Sequence, residues 1–265
     1  MNLAAELFAD FPDDLSPELF SALPGDKAQH YEQFLAYMQA QGRRQLFYDI
    51  YPDNDNVAPN GVVRFFARVR YFKHLEFFEA GAKYRERCAL FGNRCGKTTA
   101  AAFEITCHLT GVYPEWWVGR RFAEPIMAWA CGKSGKTTRD IVQQALFGGV
   151  VYDGPRRMFS GRGMVPAEFT GRPTWSSSTA ELIDTILVKH ASGGWSKLGL
   201  KSYEQGRGAF EGTAQHVIWL DEECPLDVYG ECVIRTATTN GIVMLTFTPL
   251  EGLTPTVLQF IESGD

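Results

Sequence analysis

The sequence lacks the features that mark membrane, secreted and zinc-binding proteins. No apolar run approaches the ~18 residues that a membrane-spanning helix needs, so no transmembrane segment is predicted. The N-terminus, Met1 to Asp14, is acidic and has no basic n-region, so no signal peptide is predicted either. The six cysteines form no Cys-x-x-Cys pair. This pattern argues against a zinc site or a disulfide scaffold and is typical of a reducing cytosol.

The sequence also has no internal repeat and no low-complexity tract. With 45% hydrophobic and 22% charged residues among 265, the composition is that of a globular chain of one large or two small domains. A formal net charge of −5 argues weakly against a dedicated DNA-binding module. However, residues 1–60 hold ten of the 31 acidic residues and only three of the 26 basic ones. The remainder therefore has a slight basic excess, and a basic face there could grip an anionic polymer.

One stretch combines an apolar run, a glycine loop and an alanine-rich segment. Cys88–Phe91 predicts a strand, Gly92–Lys97 a tight loop and Ala100–Leu109 a helix. Such a corner with Gly-Lys-Thr cradles phosphates, because the helix dipole and the first amide N–H groups attract anions. Its lysine is expected to reach the β- and γ-phosphates and its threonine to hold Mg²⁺. Three residues rather than the usual four separate the loop's glycines, so a plain strand-to-helix turn is the alternative.

A second Gly-Lys-Thr sequence follows later in the chain. Pro125–Ala130 predicts a strand, which leads into a second glycine loop and a helical segment, Arg139–Phe147. Only two residues separate the glycines of this loop, so it would wrap a pyrophosphate poorly. Spacing therefore favours Lys97 over Lys136 as the phosphate-binding lysine. Lys136 is expected near the site, where it faces solvent or DNA.

Further apolar runs predict the rest of a sheet. Asp184–His190 and Trp195–Tyr203 flank a Ser-Gly-Gly turn and predict a β-hairpin. His216–Leu220 predicts a buried strand that ends in an Asp-Glu pair suited to holding Mg²⁺ and polarising water. Gly241–Pro249 predicts another buried strand. Its two threonines either sense the γ-phosphate or simply end the strand.

The remaining segments predict helices and loops. Residues 1–40 alternate polar and apolar side chains at helical spacing, and Asp49–Asn60 predicts a loop. Val62–Glu79 is aromatic and basic, and predicts either a helix face packed in the core or a surface that stacks on adenine. Cys232–Ala237 predicts a helix end or a short strand. Gly149–Ser178, with its prolines and arginines, is predicted to be irregular.

In combination, these motifs resemble the ATPase domain of the large terminase subunit of tailed bacteriophages, the motor that packages genomes into procapsids. The stretches that carry the resemblance lie between about residues 60 and 255: Phe77–Arg87, Gly92–Thr98, His108–Phe122, Thr137–Ile141, Gly194-Trp195, Lys201–Arg207, Val217–Glu223 and Thr246–Pro249. The resemblance selects Lys97, because terminases carry an arginine within the first loop, here Arg94.

The resemblance implies an α/β fold of the ASCE-type P-loop class. Its mostly parallel central sheet would be flanked by helices, with a β-hairpin insertion and an N-terminal helical lid subdomain. Residues 1–60 would form an acidic helical lid or oligomerisation region, and residues 61–265 the P-loop ATPase motor domain. The C-terminal RNase H-like nuclease domain of the family is expected to be absent, so no nuclease activity is expected from this chain.

The family's functional residues carry over onto this sequence through the matching motifs. The nucleotide, ATP, is expected to contact the first loop, the helix start and the adenine-reading position: Gly92, Asn93, Arg94, Cys95, Gly96, Lys97, Thr98, Thr99 and His74. Catalytic roles go to one acid and three cations: Glu222, Lys97, Arg94 and Arg207. Thr98 and Asp221 are expected to hold Mg²⁺. Thr246 and Thr248 are expected to couple phosphate release to movement.

Two of these assignments have alternatives. Arg94 is the expected γ-phosphate arginine within one chain. Arg207 is the candidate from a neighbouring subunit, with Arg139 and Arg121 as rivals and a DNA or surface contact as its other interpretation. His74 stands where these proteins usually have a glutamine that reads adenine. It is therefore either an adenine contact or a plain helix-surface histidine.

The resemblance also implies a function, partners and a location. ATP hydrolysis with Mg²⁺ would drive double-stranded DNA into a procapsid. The partners would be DNA, the portal and procapsid, the small terminase subunit and neighbouring copies in a ring of five. The chain would work in the cytoplasm of the infected bacterial host, transiently at the portal and not in a membrane. The alternatives are another nucleic-acid-translocating ATPase such as a helicase, a small-molecule kinase, and a non-catalytic nucleotide-binding scaffold.

Overall fold

The computed structural model describes residues 46–58, 60–249 and 252–262. The chain divides into two compact units at the junction between Arg68 and Val69. The helices predicted within residues 1–40 lie outside the described residues.

The described part of the first unit holds a short helix and a two-stranded ladder. Helix α1 is Leu46–Asp49, and strand β1 (Asn56–Val57) pairs antiparallel with β2 (Val63–Phe65). The ladder continues into a turn, where the Ala58 amide donates to the Val62 carbonyl at 2.8 Å. The prediction of a loop over residues 49–60 is therefore wrong at β1. This segment is rich in Asp and Asn, but its pairing with a later strand decides its structure.

The second unit is built on a seven-stranded sheet. In spatial order its strands are β3 (Glu86–Leu90), β11 (Ile242–Phe247), β10 (Val217–Asp221), β4 (Met127–Gly132), β9 (Trp195–Ser202), β8 (Ile183–Lys189) and β7 (Thr170–Trp175). The first five are parallel to one another, β8 is antiparallel to β9, and β7 is antiparallel to β8. The prediction of an α/β fold with a mostly parallel central sheet is confirmed.

The predicted hairpin forms and extends this sheet. β8 and β9 pair antiparallel, with Lys189 opposite Trp195 and Ile186 opposite Leu198. β9 then lies parallel to β4, so the hairpin adds strands to the far side of the parallel sheet. Side chains alternate along both strands between buried and exposed positions, as expected for a sheet covered on one face.

The segment predicted to be irregular, residues 149–178, instead contains three strands. β5 (Val150–Asp153) pairs antiparallel with β6 (Arg156–Phe159), and β7 forms an edge of the main sheet. Pro173 is tolerated in β7 because an edge strand does not need every backbone N–H for pairing. The prediction fails here because partners distant in sequence, rather than local composition, decide that these residues are strands.

Helices cover the sheet. They are α2 (Phe72–Lys83), α3 (Lys97–Thr110), α4 (Gly135–Thr137), which continues through a π-helical segment (Thr138–Gln143) into α5 (Gln144–Phe147), α6 (Leu226–Ala237) and α7 (Pro255–Glu262). The alternative of a short strand at residues 232–237 is therefore wrong. None of the described helices has the length and apolarity needed to span a bilayer.

The centre of the sheet is its most deeply buried part. Every residue of β10 and β11 is buried, and α3 is buried from Ala100 to Thr110. The alanines at the start of α3 let the helix approach the sheet closely. Leu220 is fully buried in the core beneath α6, and truncating such a leucine to alanine typically costs about 2–5 kcal/mol. This rigid layer holds the strand ends in place.

Candidate functional site

The carboxyl ends of the parallel strands open into a cleft of about 890 Å³. Ligands of open parallel sheets bind at this edge, where loops leave the strands. The residues that line the cleft come from the ends of β10 and β11, the loops after the parallel strands, the starts of α3, α6 and α7, and the π-helical segment: Asn93, Arg94, Lys97, Thr98, Lys133, Ile141, Tyr203, Glu204, Asp221, Glu222, Glu223, Cys224, Pro225, Leu226, Thr246, Phe247, Thr248, Thr254, Pro255 and Thr256.

The glycine loop after β3 has the backbone of an anion cradle. Arg94 and Gly96 both adopt left-handed conformations, with φ of 62° and 75°. Such residues turn successive N–H groups toward one concave side. The helix α3 begins directly after Gly96, and no described side chain caps its first turn. Its first amides are therefore available to an anion placed over the loop.

The lysine of this loop is held by oxygen atoms at the cleft. Lys97 Nζ donates to the carbonyls of Gly92 at 2.7 Å and Phe91 at 3.2 Å, and to Thr248 Oγ1 at 2.8 Å. Thr248 Oγ1 also lies 2.9 Å from the side-chain oxygen of Asn93. The ammonium group is thus positioned at the mouth of the cradle by neutral acceptors.

Two strand ends, those of β10 and β11, and the start of α3 bring oxygen atoms together around Asp221. Thr246 Oγ1 donates to Asp221 Oδ1 at 2.7 Å, and Thr98 Oγ1 lies 3.2 Å from the same oxygen and 3.4 Å from Oδ2. Burial raises the pKa of Asp221 to about 6, and the nearby charge of Glu222 adds to the rise. The two hydroxyl groups and the charge of Lys97 oppose that rise by stabilising the carboxylate.

These oxygen atoms fit a magnesium ion. Mg²⁺ binds oxygen ligands at about 2.0–2.1 Å in octahedral geometry, so neighbouring ligands lie about 3 Å apart. The Thr98 hydroxyl lies 3.2 Å from Asp221 Oδ1 and 3.4 Å from Oδ2. Among the residues that the structure describes, no three His, Cys, Asp or Glu side chains form a metal-binding group. Two protein oxygens suit an ion that keeps waters and binds substrate phosphates, as Mg²⁺ does.

The second acid of the pair is placed by an unusual backbone. Glu222 has a left-handed conformation with φ of 66°, which is uncommon outside glycine. Its amide donates to the Thr246 carbonyl at 2.9 Å, and the Tyr203 hydroxyl donates to the carbonyls of Asp221 at 2.8 Å and Glu222 at 3.3 Å. Tyr203 therefore fixes the turn that directs the half-buried Glu222 into the cleft.

The second glycine loop folds around its own side chains. Ser134 and Thr137 form a capping box at the start of α4, and the Gly135 amide donates to Glu204 at 3.3 Å. This helix start is therefore already satisfied. Lys136 is not among the described residues that line the cleft, whereas Lys133 of the same loop is.

Of the candidate arginines, Arg94 lines the cleft. Arg207 instead pairs with the buried Glu231, with its NH2 atom 3.1 Å from the carboxylate. Arg139 pairs with Asp140 at 2.7 Å. Arg121 donates to the Trp117 carbonyl at 3.2 Å.

His74 lies beneath the glycine loop. Its side chain is only 6% exposed, so the alternative of a helix-surface histidine is wrong. Nε2 lies 2.8 Å from the Cys95 carbonyl, and the ring stacks between Tyr71 and Phe91. Burial lowers the pKa of His74, which keeps the ring neutral. A Cβ atom at Gly96 would come within 3.0 Å of this ring.

Several residues of the cleft escaped sequence reasoning. They are the lysine of the second loop, the tyrosine after β9 and the start of α7: Lys133, Tyr203, Thr254, Pro255 and Thr256. Lys133 had a signal, since it stands in a Gly-Lys sequence after a predicted strand. Tyr203 lies within a stretch that carries the terminase resemblance. The α7 residues had no local signal.

Comparisons with known proteins agree on one family. A family model described as "Terminase large subunit, T4likevirus-type, N-terminal" matches residues 88–264. The curated large terminase subunit of Salmonella phage P22 is 35% identical over 213 residues, which are 73% of this chain and 41% of that protein. The chain thus spans less than half the length of this relative.

Solved structures give a more distant likeness. The large terminase of the thermophilic bacteriophage D6E has a TM-score of 0.48 and 13% identity, over 73% of this chain and 41% of that one. A crystal form of the D6E protein in complex with ADP has a TM-score of 0.42 and 12% identity, over 67% and 38%.

The family match covers all the residues that line the cleft. It includes the glycine loop with Lys97, the strand end at Asp221 and the start of α7. By sequence, this chain belongs to the terminase large-subunit family of the T4likevirus type and corresponds to its N-terminal part.

Proposed function

We propose that this chain is the ATPase motor domain of a genome-packaging terminase, hydrolysing ATP to drive double-stranded DNA into a procapsid. The observation that carries the proposal is the meeting of Lys97, Thr98, Asp221 and Glu222 at one end of the parallel sheet, in a cleft of about 890 Å³. This size suits a nucleotide, since ligand pockets typically span about 300–1,000 Å³. The position of β11 between β3 and β10 supports the ASCE-type P-loop class.

Lys97 binds the β- and γ-phosphates. Its Nζ is already at the mouth of the cradle, held by the carbonyls of Phe91 and Gly92 and by Thr248. A phosphate carries a full negative charge, so it attracts this ammonium more strongly than the neutral oxygens that now accept from it. The lysine therefore exchanges its present acceptors for phosphate, and Thr248 is released. This exchange supports a coupling role for Thr248.

The two acidic residues have different roles, one in binding the metal and one in activating water. Thr98 and Asp221 would hold Mg²⁺, which when bound neutralises charge on the β- and γ-phosphate oxygens. Glu222 orients the attacking water and takes its proton, from the position fixed by Tyr203. Positioning and charge stabilisation supply most of the rate in such reactions.

Cations around the γ-phosphate complete the site. Arg94 and Lys133 both line the cleft and act within the chain. An arginine aimed at the γ-phosphate supplies about 10³–10⁵-fold in related P-loop enzymes. Arg207 lies outside this cleft and is 56% exposed, which suits a contact with the site of a neighbouring subunit. His74 supports the loop through Cys95 and remains the candidate for reading adenine.

The wider assignments rest on the family. By analogy with the family, residues 1–60 would form an acidic helical lid or oligomerisation region, and residues 61–265 would form the motor domain. The partners are double-stranded DNA, the portal and procapsid, the small terminase subunit and four further copies in a ring. The site of action is the cytoplasm of the infected bacterial host, transiently at the portal.

The test compares lysines and acids by steady-state ATP hydrolysis. Lys97→Ala and Glu222→Ala are expected to abolish activity, since one removes phosphate neutralisation and the other the base. Lys133→Ala should lower kcat, whereas the matched variant Lys136→Ala should retain most of it. An inactive Lys136→Ala beside an active Lys97→Ala would show that the site is misassigned. Phosphate transfer to a small acceptor instead of water would favour the kinase alternative.

A further inference from the structure

We propose that Trp219 is a positioning residue for the metal-binding carboxylate of Asp221 and acts through Thr246. The inference rests on the proposed function, because it concerns the residues that would hold Mg²⁺. Trp219 is fully buried and does not line the cleft, so it touches neither the nucleotide nor the metal directly.

The strand register places the three side chains in a row. Trp219 and Asp221 are two residues apart on β10 and therefore share a face of the sheet. Thr246 on β11 stands opposite Asp221. The Trp219 Nε1 atom lies 2.8 Å from Thr246 Oγ1, which lies 2.7 Å from Asp221 Oδ1. All three residues are at most 4% exposed, so water does not compete for these bonds.

The chemistry of the groups fixes the direction of each bond. An indole N–H only donates, and a threonine hydroxyl has one proton to give. Because Trp219 donates to Thr246, the hydroxyl accepts on that side. Its own proton is thereby directed to Asp221. The chain of donors runs from the indole to the carboxylate and has no alternative orientation.

The indole thus determines which way the carboxylate faces. Asp221 Oδ1 is fixed by the short bond from Thr246, while Oδ2 has the longer contact of 3.4 Å with Thr98. Oδ2 is the oxygen left for a cation. Without the indole, the Thr246 hydroxyl can turn toward a backbone carbonyl, as threonine hydroxyls readily do. The carboxylate then loses its fixed donor and rotates.

This arrangement also revises the role of Thr246. Sequence reasoning grouped it with Thr248 as a sensor of the γ-phosphate. Its hydroxyl is instead committed on both sides, to Trp219 and to Asp221. Thr248 contacts Lys97 and Asn93. Of the two threonines, Thr248 is the one placed to respond to phosphate, and Thr246 holds the acid.

The experiment measures nucleotide binding rather than turnover. The affinity for AMPPNP is measured by calorimetry in Mg²⁺ and in EDTA for the wild-type chain and for Trp219→Phe, Thr246→Val and the double variant. Trp219→Phe is expected to weaken binding in Mg²⁺ about tenfold, the lower end of the loss from removing an outer-shell partner. Its affinity in EDTA should stay unchanged. The double variant should lose no more than Thr246→Val alone, and Thr246→Ser should bind as the wild type does.

Two comparisons keep the result interpretable. A purely structural effect of the smaller ring would change affinity in both buffers, and Trp129→Phe, in the core beneath α6, should leave the ratio of the two affinities unaltered. Equal Mg²⁺ dependence in Trp219→Phe and wild type, or losses that multiply in the double variant, would overturn the inference alone. A wild-type chain that binds no AMPPNP in either buffer would overturn the proposed function as well.

Discussion

At the scale of single residues, Asp221 carries the largest conflict between burial and charge in the cleft. It is 4% exposed, and burial raises its pKa to about 6, although Thr246 and Thr98 donate to it. A carboxylate whose pKa rises on folding opposes folding when it is ionised. Burying this carboxylate therefore lowers the stability of the fold, while it places an acidic side chain where a cation can bind.

This conflict predicts a pH dependence of stability. Below the unfolded pKa of 3.8 Asp221 is protonated in both states, and stability is lost as pH rises through about 6. Asp221→Asn removes the titration. The variant should therefore unfold with a higher free energy than the wild type at pH 8, by roughly 3 kcal/mol for a shift of this size. The difference should shrink toward pH 4, as measured by urea unfolding in EDTA.

Asp140 supplies a control of opposite sign. Its hydrogen bond from Arg139 lowers the pKa of this exposed carboxyl. Asp140→Asn should therefore lower stability slightly at neutral pH, and the difference should vanish on acidification. A wild type whose stability rises steadily from pH 4 to 8 relative to Asp221→Asn would contradict the burial of a charged Asp221.

At the scale of elements, a buried ion network joins β3 to α3, the strand and helix on either side of the first glycine loop. Arg87 of β3 donates to Glu104 in the middle of α3, and His108 lies one turn further along, 3.2 Å from the same carboxylate. Burial alone would raise the pKa of Glu104, but Arg87 and His108 lower it. The network ties α3 to β3 and so fixes the helix start that carries Lys97.

The network predicts a large cost for removing one partner. Arg87→Met leaves Glu104 buried without its counter-charge, and breaking such a pair typically costs about 3–5 kcal/mol. Replacing both, as Arg87→Met with Glu104→Leu, should recover much of the loss. Urea unfolding measures both variants, with Lys83→Met at the exposed Lys83–Glu79 pair as a control of small effect. An Arg87→Met chain as stable as this control would show that Glu104 is not charged.

At the scale of the whole molecule, the candidate arginines differ in whether they line the cleft of their own chain. The described cleft contains Arg94, Lys97 and Lys133, while Arg207 lies outside it, on Glu231. If neighbouring copies assemble in a ring, Arg207 of one copy would reach the cleft of the next. Activity would then depend on contact between subunits.

This dependence predicts complementation between two inactive variants. The Arg207→Ala chain keeps an intact cleft, and the Lys97→Ala chain keeps an intact Arg207. Mixing the two should restore ATP hydrolysis above the sum of the separate samples, at concentrations and on DNA that allow assembly. Arg139→Ala is the matched control and should not need complementation. Absence of any gain, with assembly shown by sedimentation, would contradict a role for Arg207 in trans.

The sequence by itself determined the elements whose signal is local. The apolar runs predicted β3, β4, β10 and β11, and the Ser-Gly-Gly turn predicted the hairpin of β8 and β9, because strand burial and turn chemistry are written in neighbouring residues. The Gly-Lys-Thr loop and the Asp-Glu pair were identified for the same reason.

Only the tertiary structure decided what depends on distant partners. Thr98 and Asp221 are 123 positions apart, and Lys97 and Thr248 are 151 apart. No local pattern reports such contacts, so the start of α7 and the Trp219–Thr246 bond were missed. For the same reason β5 to β7 were predicted to be irregular. The sheet register brings these groups together, because parallel strands align their carboxyl ends whatever the length of chain between them.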